Sequence, residues 1–270
     1  MPELPEVETV RRRLSPHLAG RTIVAAEITD PLLTRPEPPA QLAARLRGDR
    51  VSELSRRGKY LLIGLGSGST LVVHLRMTGN LLWQPAPVEL PFARASLLLD
   101  DGSTVAYTDV RRFGTWQLSD DPVELLRRTL GPEPLAGWSA EDLRRALSGR
   151  ATPVKAALLD QRTVAGVGNI YADEALFRAR IHPRTPAARI GPARAARLHA
   201  AIRGVLEEGI SAQGASIRDF RTPDGGYGSA QERFLVYGRG GLPCERCGGT
   251  LSRTVVAQRG TVYCHSCQPR

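Results

Sequence analysis

The sequence predicts an α+β protein with a β-rich first half, a helical second half and a small metal-binding unit at its C-terminal end. Short segments typical of strands, separated by turn residues, fill most of the first 120 residues. From about residue 122 the apolar residues instead recur with helical spacing. All four cysteines lie within residues 244–267. A chain of 270 residues has room for two domains of ordinary size.

The β-rich half begins with one helix. Pro5 suits the first turn of a helix, and Gly20 is a plausible end. Between them an apolar face is predicted from the spacing of Val7, Val10, Leu14 and Leu18. The following pattern predicts strands over 22–30, 51–65, 71–75, 96–99, 104–107 and 115–118. Many short strands behind one helix favour a β-sandwich or a barrel.

The helical half follows a Gly-Pro-Glu-Pro segment at 131–134 that is typical of a linker. The spacing predicts helices over 139–148, 153–161, 169–179 and 191–212, followed by a glycine-rich loop at 224–228. We therefore expect an N-terminal β-sandwich domain over 1–121, a linker over 122–134, a helical domain over 135–236 and a metal-binding domain over 237–270.

The cysteines form two C-x2-C pairs, a spacing that suits a structural tetrahedral Zn²⁺ site with no open position. The ligands would be Cys244, Cys247, Cys264 and Cys267. The residues between the pairs predict a β-hairpin with Arg259 and Gly260 near its tip. A unit this small should not fold without its metal.

The composition indicates a polyanionic partner. The net charge is +10, from 37 Lys and Arg against 27 Asp and Glu, and such a balance is typical of nucleic-acid binding. The alternative is an arginine-rich proteome, because Lys59 and Lys155 are the only lysines. No apolar run reaches the length of a membrane span, and the acidic N-terminus does not resemble a signal peptide.

The first residues suggest covalent chemistry. If Met1 is removed, Pro2 presents a secondary amine, and an α-amino group titrates at about 7.7–8.0. Such an amine can attack an aldehyde-like sugar carbon and form an iminium, which acts as an electron sink. Glu3 could donate or accept the protons that this chemistry moves. The alternative is an ordinary chain start in a solvated first turn.

Two short motifs place an apolar residue beside cationic ones, at Met77 after Arg76 and at Phe113 after Arg111 and Arg112. An exposed apolar wedge flanked by arginine can unstack a base step, although both side chains could instead belong to the core. A third motif, GVGNIYADEALFR over 166–178, places Asn169 as a helix N-cap after a glycine turn. The N-terminus of such a helix can bind phosphate.

The chain resembles the bacterial formamidopyrimidine-DNA glycosylases over essentially its whole length. The resemblance rests on PELPEVE at 2–8, GKYLL at 58–62, HLRMTG at 74–79, RRFG at 111–114, GVGNIYADE at 166–174 and the four-cysteine tail. It implies an N-terminal helix plus β-sandwich domain, a helix-two-turn-helix domain and a β-hairpin zinc finger. It also implies a monomer in the bacterial cytoplasm, associated with the nucleoid. Its partner would be damaged double-stranded DNA, from which it removes 8-oxoguanine and formamidopyrimidines before cutting the abasic strand.

The resemblance also implies residue roles. Pro2 would be the nucleophile, Glu3 the acid that assists sugar ring opening, Lys59 a proton donor in β-elimination and Arg259 a phosphate contact that assists δ-elimination. Further DNA contacts would come from His74, Met77, Arg111, Phe113, Arg150, Lys155 and Asn169. Residues from Ser216 to about Tyr227 would cover the everted base. Zinc would hold Arg259 in place and would not activate water.

Some positions depart from the family pattern. Arg76 and Val110 stand where glycine and proline are usual, Arg150 replaces a lysine, and Phe92-Ala93-Arg94 occupies a region where a histidine commonly contacts DNA. The departures could alter the geometry of the wedge or the lesion preference. Two alternatives stay open: an endonuclease VIII-like glycosylase for oxidised pyrimidines, and a non-catalytic zinc-ribbon DNA-binding protein.

Overall fold

A computed structural model describes all residues from Met1 to Arg270, and they form two compact units. Unit 1 comprises residues 1–126 and 212–231, and unit 2 comprises residues 127–211 and 232–270. The sequence grouped 212–231 with the helical domain, whereas the structure places this segment in unit 1. The physical reason is Phe220, which is buried in the hydrophobic core of unit 1.

Unit 1 contains one long helix and two antiparallel four-stranded sheets. Its elements are α1 (Leu4–Leu18), β1 (Ile23–Ile28), α2 (Pro39–Leu46), β2 (Val51–Arg57), β3 (Tyr60–Leu65), β4 (Thr70–His74), β5 (Asn80–Gln84), β6 (Ala93–Leu99), β7 (Thr104–Thr108), β8 (Thr115–Ser119) and α3 (Pro122–Arg127), the last residue of which belongs to unit 2. The strand order is β1-β6-β7-β5 in one sheet and β2-β3-β4-β8 in the other. Both sheets and α1 contribute to one hydrophobic core.

The predicted apolar face of α1 is confirmed, because Val7, Val10, Leu14 and Leu18 are all fully buried in that core. Burial of this face fixes the position of the helix, and hence of the residues that precede it. The helix packs against β2 and β3, so the start of the chain is held against the strands that flank Lys59.

Several elements differ from the sequence prediction. The segment 51–65 is two strands and not one, because Gly58 has φ +57° and, with Lys59, forms a two-residue hairpin connection. Helices α2 and α3 and strand β5 were not predicted, and α3 lies in the segment expected to be a linker. Strand β5 begins at Asn80 and pairs with β7, and its short, partly exposed pattern gives a weak periodicity signal.

Unit 2 is mainly helical and ends in a β-hairpin. Its elements are α4 (Ala140–Leu147), α5 (Val154–Leu159), α6 (Asn169–Arg178), α7 (Pro192–Ser211), β9 (Ser252–Val256) and β10 (Arg259–Tyr263). The hairpin turns through Ala257 and Gln258, which both have positive φ, as a tight two-residue hairpin turn requires. None of the helices in the chain combines the length and the apolar composition needed to cross a membrane.

Candidate active site

The two proposed reactive residues at the chain start are buried at the beginning of α1. Pro2 and Glu3 are both buried, whereas Met1 is 46% exposed. Glu3 caps the helix, and its backbone N–H donates to Glu6 Oε2 at 2.7 Å. The other carboxylate oxygen of Glu6 accepts the N–H of Ala215 at 2.8 Å. Glu6 therefore fixes the chain start and the beginning of the 212–231 segment together.

Lys59 lies in the hairpin connection between β2 and β3 and is only 5% exposed, so it is not the solvated residue usual at a strand start. Arg56 explains how this connection is positioned. Its Nη1 donates to the carbonyl of Gly58 at 2.9 Å, and its Nε donates to Glu8 on α1 at 3.2 Å. The arginine thereby ties the turn that carries Lys59 to the helix that follows Pro2 and Glu3.

Glu8 is the anionic centre of this arrangement. Burial by itself would raise the pKa of its carboxyl, but hydrogen bonds from Arg11 and Arg12, and the charge of Arg56, lower that pKa to about 2. The carboxylate is therefore charged at neutral pH. Sequence reasoning did not select Glu6, Glu8 or Arg56 as functional residues, although all three occur within or beside the motifs that carry the family resemblance.

His74, at the end of β4, is a neutral group in this structure. Burial, followed by the charges of Arg76 and Lys59, lowers the pKa of its imidazole to about 3. Its Nδ1 accepts the backbone N–H of Arg76 at 2.9 Å, and Tyr60 packs edge-on against the ring. The predicted DNA contact of His74 would therefore be a neutral hydrogen bond and not a charge–charge contact.

The two predicted wedge loops are joined by one buried aspartate. Asp109 accepts the hydroxyl of Thr78 at 2.5 Å and the backbone N–H groups of Arg111, Phe113 and Gly114 at 2.9–3.1 Å. Since Thr78 follows Met77, this carboxylate connects the 75–79 loop to the 109–114 turn.

The side chains of the two loops are accessible in the way a wedge requires. Phe113 is 51% exposed, and the Arg111 guanidinium lies 4.7 Å from the centre of its ring. Met77 is half-buried. Phe113 is therefore not a core residue, and Arg111 is exposed beside it. Asp109 precedes the RRFG motif in the sequence, but nothing in the pattern identified it as the residue that holds both loops.

Arg76 occupies a backbone conformation that favours glycine. Its φ is +54°, which explains why its replacement of the usual glycine is a structural departure and not only a change of charge. Arg112 also has positive φ, at +58°, and its guanidinium forms two hydrogen bonds of 2.8 Å with buried Asp30. This ion pair holds the centre of the 109–114 turn in the left-handed conformation.

We expect Gly114→Ala to lower the free energy of unfolding by about 1–3 kcal/mol, the usual cost of overpacking a core. An added Cβ would lie 1.6 Å from the Tyr107 hydroxyl oxygen and 2.7 Å from its Cζ, and Tyr107 is fully buried. Urea unfolding measures the change. Adding Tyr107→Phe should recover part of the loss, and strictly additive effects of the two substitutions would contradict the clash.

Gly204 is the matched control, for which we expect a change of the opposite sign in the free energy of unfolding. Gly204 lies inside α7, and an added Cβ there would meet no heavy atom within 4 Å. Gly204→Ala should therefore raise the free energy of unfolding by about 0.5–1 kcal/mol through helix propensity. If both variants had a lower free energy of unfolding, the space available to the added Cβ would not explain the effect of alanine.

In unit 2 the predicted DNA contact of Lys155 is not supported. Its side chain is fully buried, and its ammonium is 2.6 Å from Asp173 Oδ1. It also donates to the carbonyl of Gly260 at 3.1 Å and to the Thr261 hydroxyl at 2.7 Å. In this structure the ammonium is enclosed by these partners, and Lys155 supports the hairpin next to Arg259.

Asp173 completes this internal site. Burial raises the pKa of its carboxyl to about 6, against the lowering effect of Lys155. Its Oδ2 also accepts the backbone N–H of Val262 at 3.2 Å. The helix α6 therefore holds strand β10 through both a side-chain pair and a backbone contact.

Asn169 is the first residue of α6, and the cap is Gly168, not Asn169 as the motif predicted. The reason is that the Asn169 amide donates to the carbonyl of Gly260 at 3.1 Å. Its Oδ1 is buried and has no hydrogen-bond partner, although the residue as a whole is half-buried. The structure therefore brings Asn169 to the hairpin tip that carries Arg259, which is exposed.

Two further unit 2 residues have clear structural roles. Arg150 is half-buried, and its guanidinium donates to Asp160 at 3.1 Å. Glu174 accepts the backbone N–H groups of Leu235, Val236 and Tyr237 at 2.8–2.9 Å. Glu174 thereby holds the segment that leads into the cysteine-rich tail.

The four cysteines form a metal site. Their sulfur atoms lie within 4.8 Å of one another, with Cys247 and Cys264 3.4 Å apart and Cys244 and Cys267 3.9 Å apart. Tetrahedral Zn²⁺ with Zn–S bonds of about 2.3 Å requires sulfur separations of roughly this size. A zinc ion held by these four thiolates would have no open position, so its role would be to support the hairpin and not to bind a reactant.

Comparison with known proteins assigns the chain to a class. The chain matches the models for the formamidopyrimidine-DNA glycosylase N-terminal domain over residues 1–116, the formamidopyrimidine-DNA glycosylase H2TH domain over 130–221 and the zinc finger found in FPG and IleRS over 241–270. The fold and the site thus define a zinc-finger DNA glycosylase. More specifically, the chain belongs to the formamidopyrimidine-DNA glycosylase family.

Individual relatives agree over the full length. The formamidopyrimidine-DNA glycosylase of Heliobacterium modesticaldum is 49% identical, and the alignment covers 99% of this chain and 100% of that protein. The crystal structure of MutM (Fpg) from Thermus thermophilus has 46% identity and a TM-score of 0.88, covering 99% of this chain and 98% of the other. An Fpg variant from Lactococcus lactis, bound to DNA containing Fapy-dG, has 37% identity and a TM-score of 0.92 and covers 100% of both chains.

Proposed function

We propose that this protein is a bifunctional DNA glycosylase and abasic-site lyase that excises oxidised purines, namely 8-oxoguanine and formamidopyrimidines, from duplex DNA. The observation that carries the proposal is the burial of Pro2 and Glu3 at the start of a helix tied to the Lys59 turn by Arg56 and Glu8. The Lactococcus lactis relative bound to Fapy-dG DNA supports the substrate class.

The chemistry begins after the lesion is extruded, because a base cannot be reached inside the duplex. The Pro2 nitrogen bonds to the sugar C1′ as the bond from C1′ to the base breaks, and the departing base takes up the proton that the amine loses. Glu3 supplies a proton to the ring oxygen, so the sugar opens and the nitrogen becomes an iminium. Loss of the C2′ proton sends the electrons of that bond into the iminium, and the 3′ phosphate leaves with the electrons of the C3′–O bond. Loss of the C4′ proton then releases the 5′ phosphate, with Lys59 and Arg259 moving protons in these steps.

The DNA-binding residues divide by chemistry. Met77 and Phe113 fill the space left by the lesion, while Arg111 contacts the base opposite. Asn169 and Arg259 contact phosphate, to which the net charge of +10 contributes generally. Arg150 is a further phosphate contact and exchanges its bond to Asp160 for one to DNA. The protein acts as a monomer in the bacterial cytoplasm, on nucleoid DNA.

Excision from matched duplexes tests the substrate class. We expect base release from an 8-oxoguanine duplex and little release from a thymine glycol duplex under the same conditions. Faster release of thymine glycol would assign the endonuclease VIII-like activity instead. Binding to both duplexes without release from either would leave only a zinc-ribbon DNA-binding function.

A further inference from the structure

Asn80 is the first residue of β5 and directly follows the 75–79 loop that carries Met77. Its side chain is 7% exposed. Its Nδ2 donates to the carbonyl of Thr78 at 3.2 Å and to the carbonyl of Asp219 at 3.0 Å. Its Oδ1 accepts the backbone N–H of Arg221 at 2.9 Å. One side-chain amide therefore bonds the backbone of two separate loops.

The second of these loops is the segment 216–227, called here the lesion loop. Other residues bond the two ends of this loop. Before it, the Ala215 N–H donates to Glu6, and towards its end the Trp83 N–H donates to the Pro223 carbonyl and Arg13 donates to Asp224. Between the buried residues Ala215 and Phe220, however, the residues from Ile217 to Asp219 are exposed. Asn80 bonds the end of this exposed stretch.

The bonds continue from Asn80 into the wedge loops. Thr78, whose carbonyl Asn80 contacts, donates its hydroxyl to Asp109. The N–H of Arg111 in turn contacts both the Thr78 hydroxyl and Asp109. A continuous series of hydrogen bonds thus joins the lesion loop to the residues that replace the extruded base.

We infer that Asn80 is a positioning residue that couples closure of the lesion loop to insertion of the wedge. The inference rests on the proposed function. Asn80 acts through the backbone of the lesion loop and of Thr78, so it touches neither the substrate nor the reacting atoms. The lesion loop covers an extruded base, and an abasic site has no base to cover. The coupling therefore affects base excision and not cleavage at a site that already lacks its base.

The test uses Asn80→Ala in the full-length, zinc-loaded protein. Single-turnover rates are measured on an 8-oxoguanine duplex and on the same duplex with a preformed abasic site. We expect excision to slow by about tenfold, the effect of losing one or two buried hydrogen bonds, and abasic-strand cleavage to stay unchanged. Gln84→Ala, at the other end of β5, is the matched control and should change neither rate.

A second measurement does not depend on activity. Amide hydrogen exchange should become faster at Arg221 in Asn80→Ala, because its N–H loses the Asn80 acceptor. Asn80→Asp, which keeps an acceptor at this place, should preserve more of the protection at Arg221.

The outcomes separate the inference from the proposed function. Equal slowing of both reactions, no change in either, or unchanged exchange at Arg221 would each overturn the coupling role of Asn80. If the unsubstituted protein does not excise 8-oxoguanine, the proposed function fails. Exchange at Arg221 then still decides whether Asn80 holds the loop, and the role of that contact in base excision falls with the function.

Discussion

Borohydride should trap a covalent complex between this protein and an 8-oxoguanine duplex only when the nitrogen of Pro2 is the free end of the chain. Reduction converts the iminium at C1′ into a stable amine, which joins protein to DNA. A variant with one additional alanine in front of Pro2 makes this nitrogen an amide, and an amide cannot form an iminium. We therefore expect trapping to be abolished, and not merely weakened, in the extended variant.

The control for this experiment is binding. The extended variant should still bind a duplex that carries a non-cleavable abasic-site analogue, since the wedge residues and the zinc hairpin are unchanged. Mass spectrometry of each preparation establishes whether Met1 is present. Efficient trapping by a chain whose Pro2 nitrogen is acylated would contradict the proposed nucleophile, and Lys59 would be the next amine to test.

The sequence predicted those features that depend on local pattern. The apolar face of α1, the cysteine site and the β-hairpin between the cysteine pairs follow from spacing alone, and the structure contains all three. The order of strands in the two sheets could not be predicted, because β1 pairs with β6 and β4 with β8 across long stretches of chain. Such pairings depend on tertiary packing and leave no short-range signal.

The same limit applies to the site. Pro2, Glu3 and Lys59 were found through motifs, but the residues that position them, Glu6 and Arg56, act through contacts that only the fold creates. Asn80 carried no sequence signal for a positioning role, because an asparagine after glycine usually marks only a turn. The segment 212–231 was assigned by its position in sequence, whereas Phe220 packs into the core of unit 1.

For Lys155 the sequence and the structure indicate different roles. A lysine in a basic, DNA-binding chain is readily interpreted as a phosphate contact. In the structure, however, its charge is matched internally by Asp173, and its remaining donors bond Gly260 and Thr261 beside Arg259. The two roles make different predictions for a double substitution.

Lys155→Met should lower the free energy of unfolding by about 3–5 kcal/mol, because it leaves the buried carboxylate of Asp173 without its partner. Urea unfolding measures this loss. Adding Asp173→Asn removes the unpaired charge and keeps an acceptor for the Val262 N–H, so the double variant should recover most of the stability. It should also recover part of the DNA affinity, because the contact from position 173 to the Val262 N–H is kept while the Lys155 bonds to Gly260 and Thr261 stay lost.

Salt dependence of DNA binding separates this role from a direct contact. The slope of log K against log salt changes by about 0.9 for each lost phosphate contact, and Arg150→Ala is the matched control expected to show that change. If Lys155 acts only inside the protein, the double variant should have the slope of the unsubstituted protein. A slope reduced by about 0.9 in a stably folded double variant would instead mean that the lysine leaves Asp173 and binds the DNA backbone.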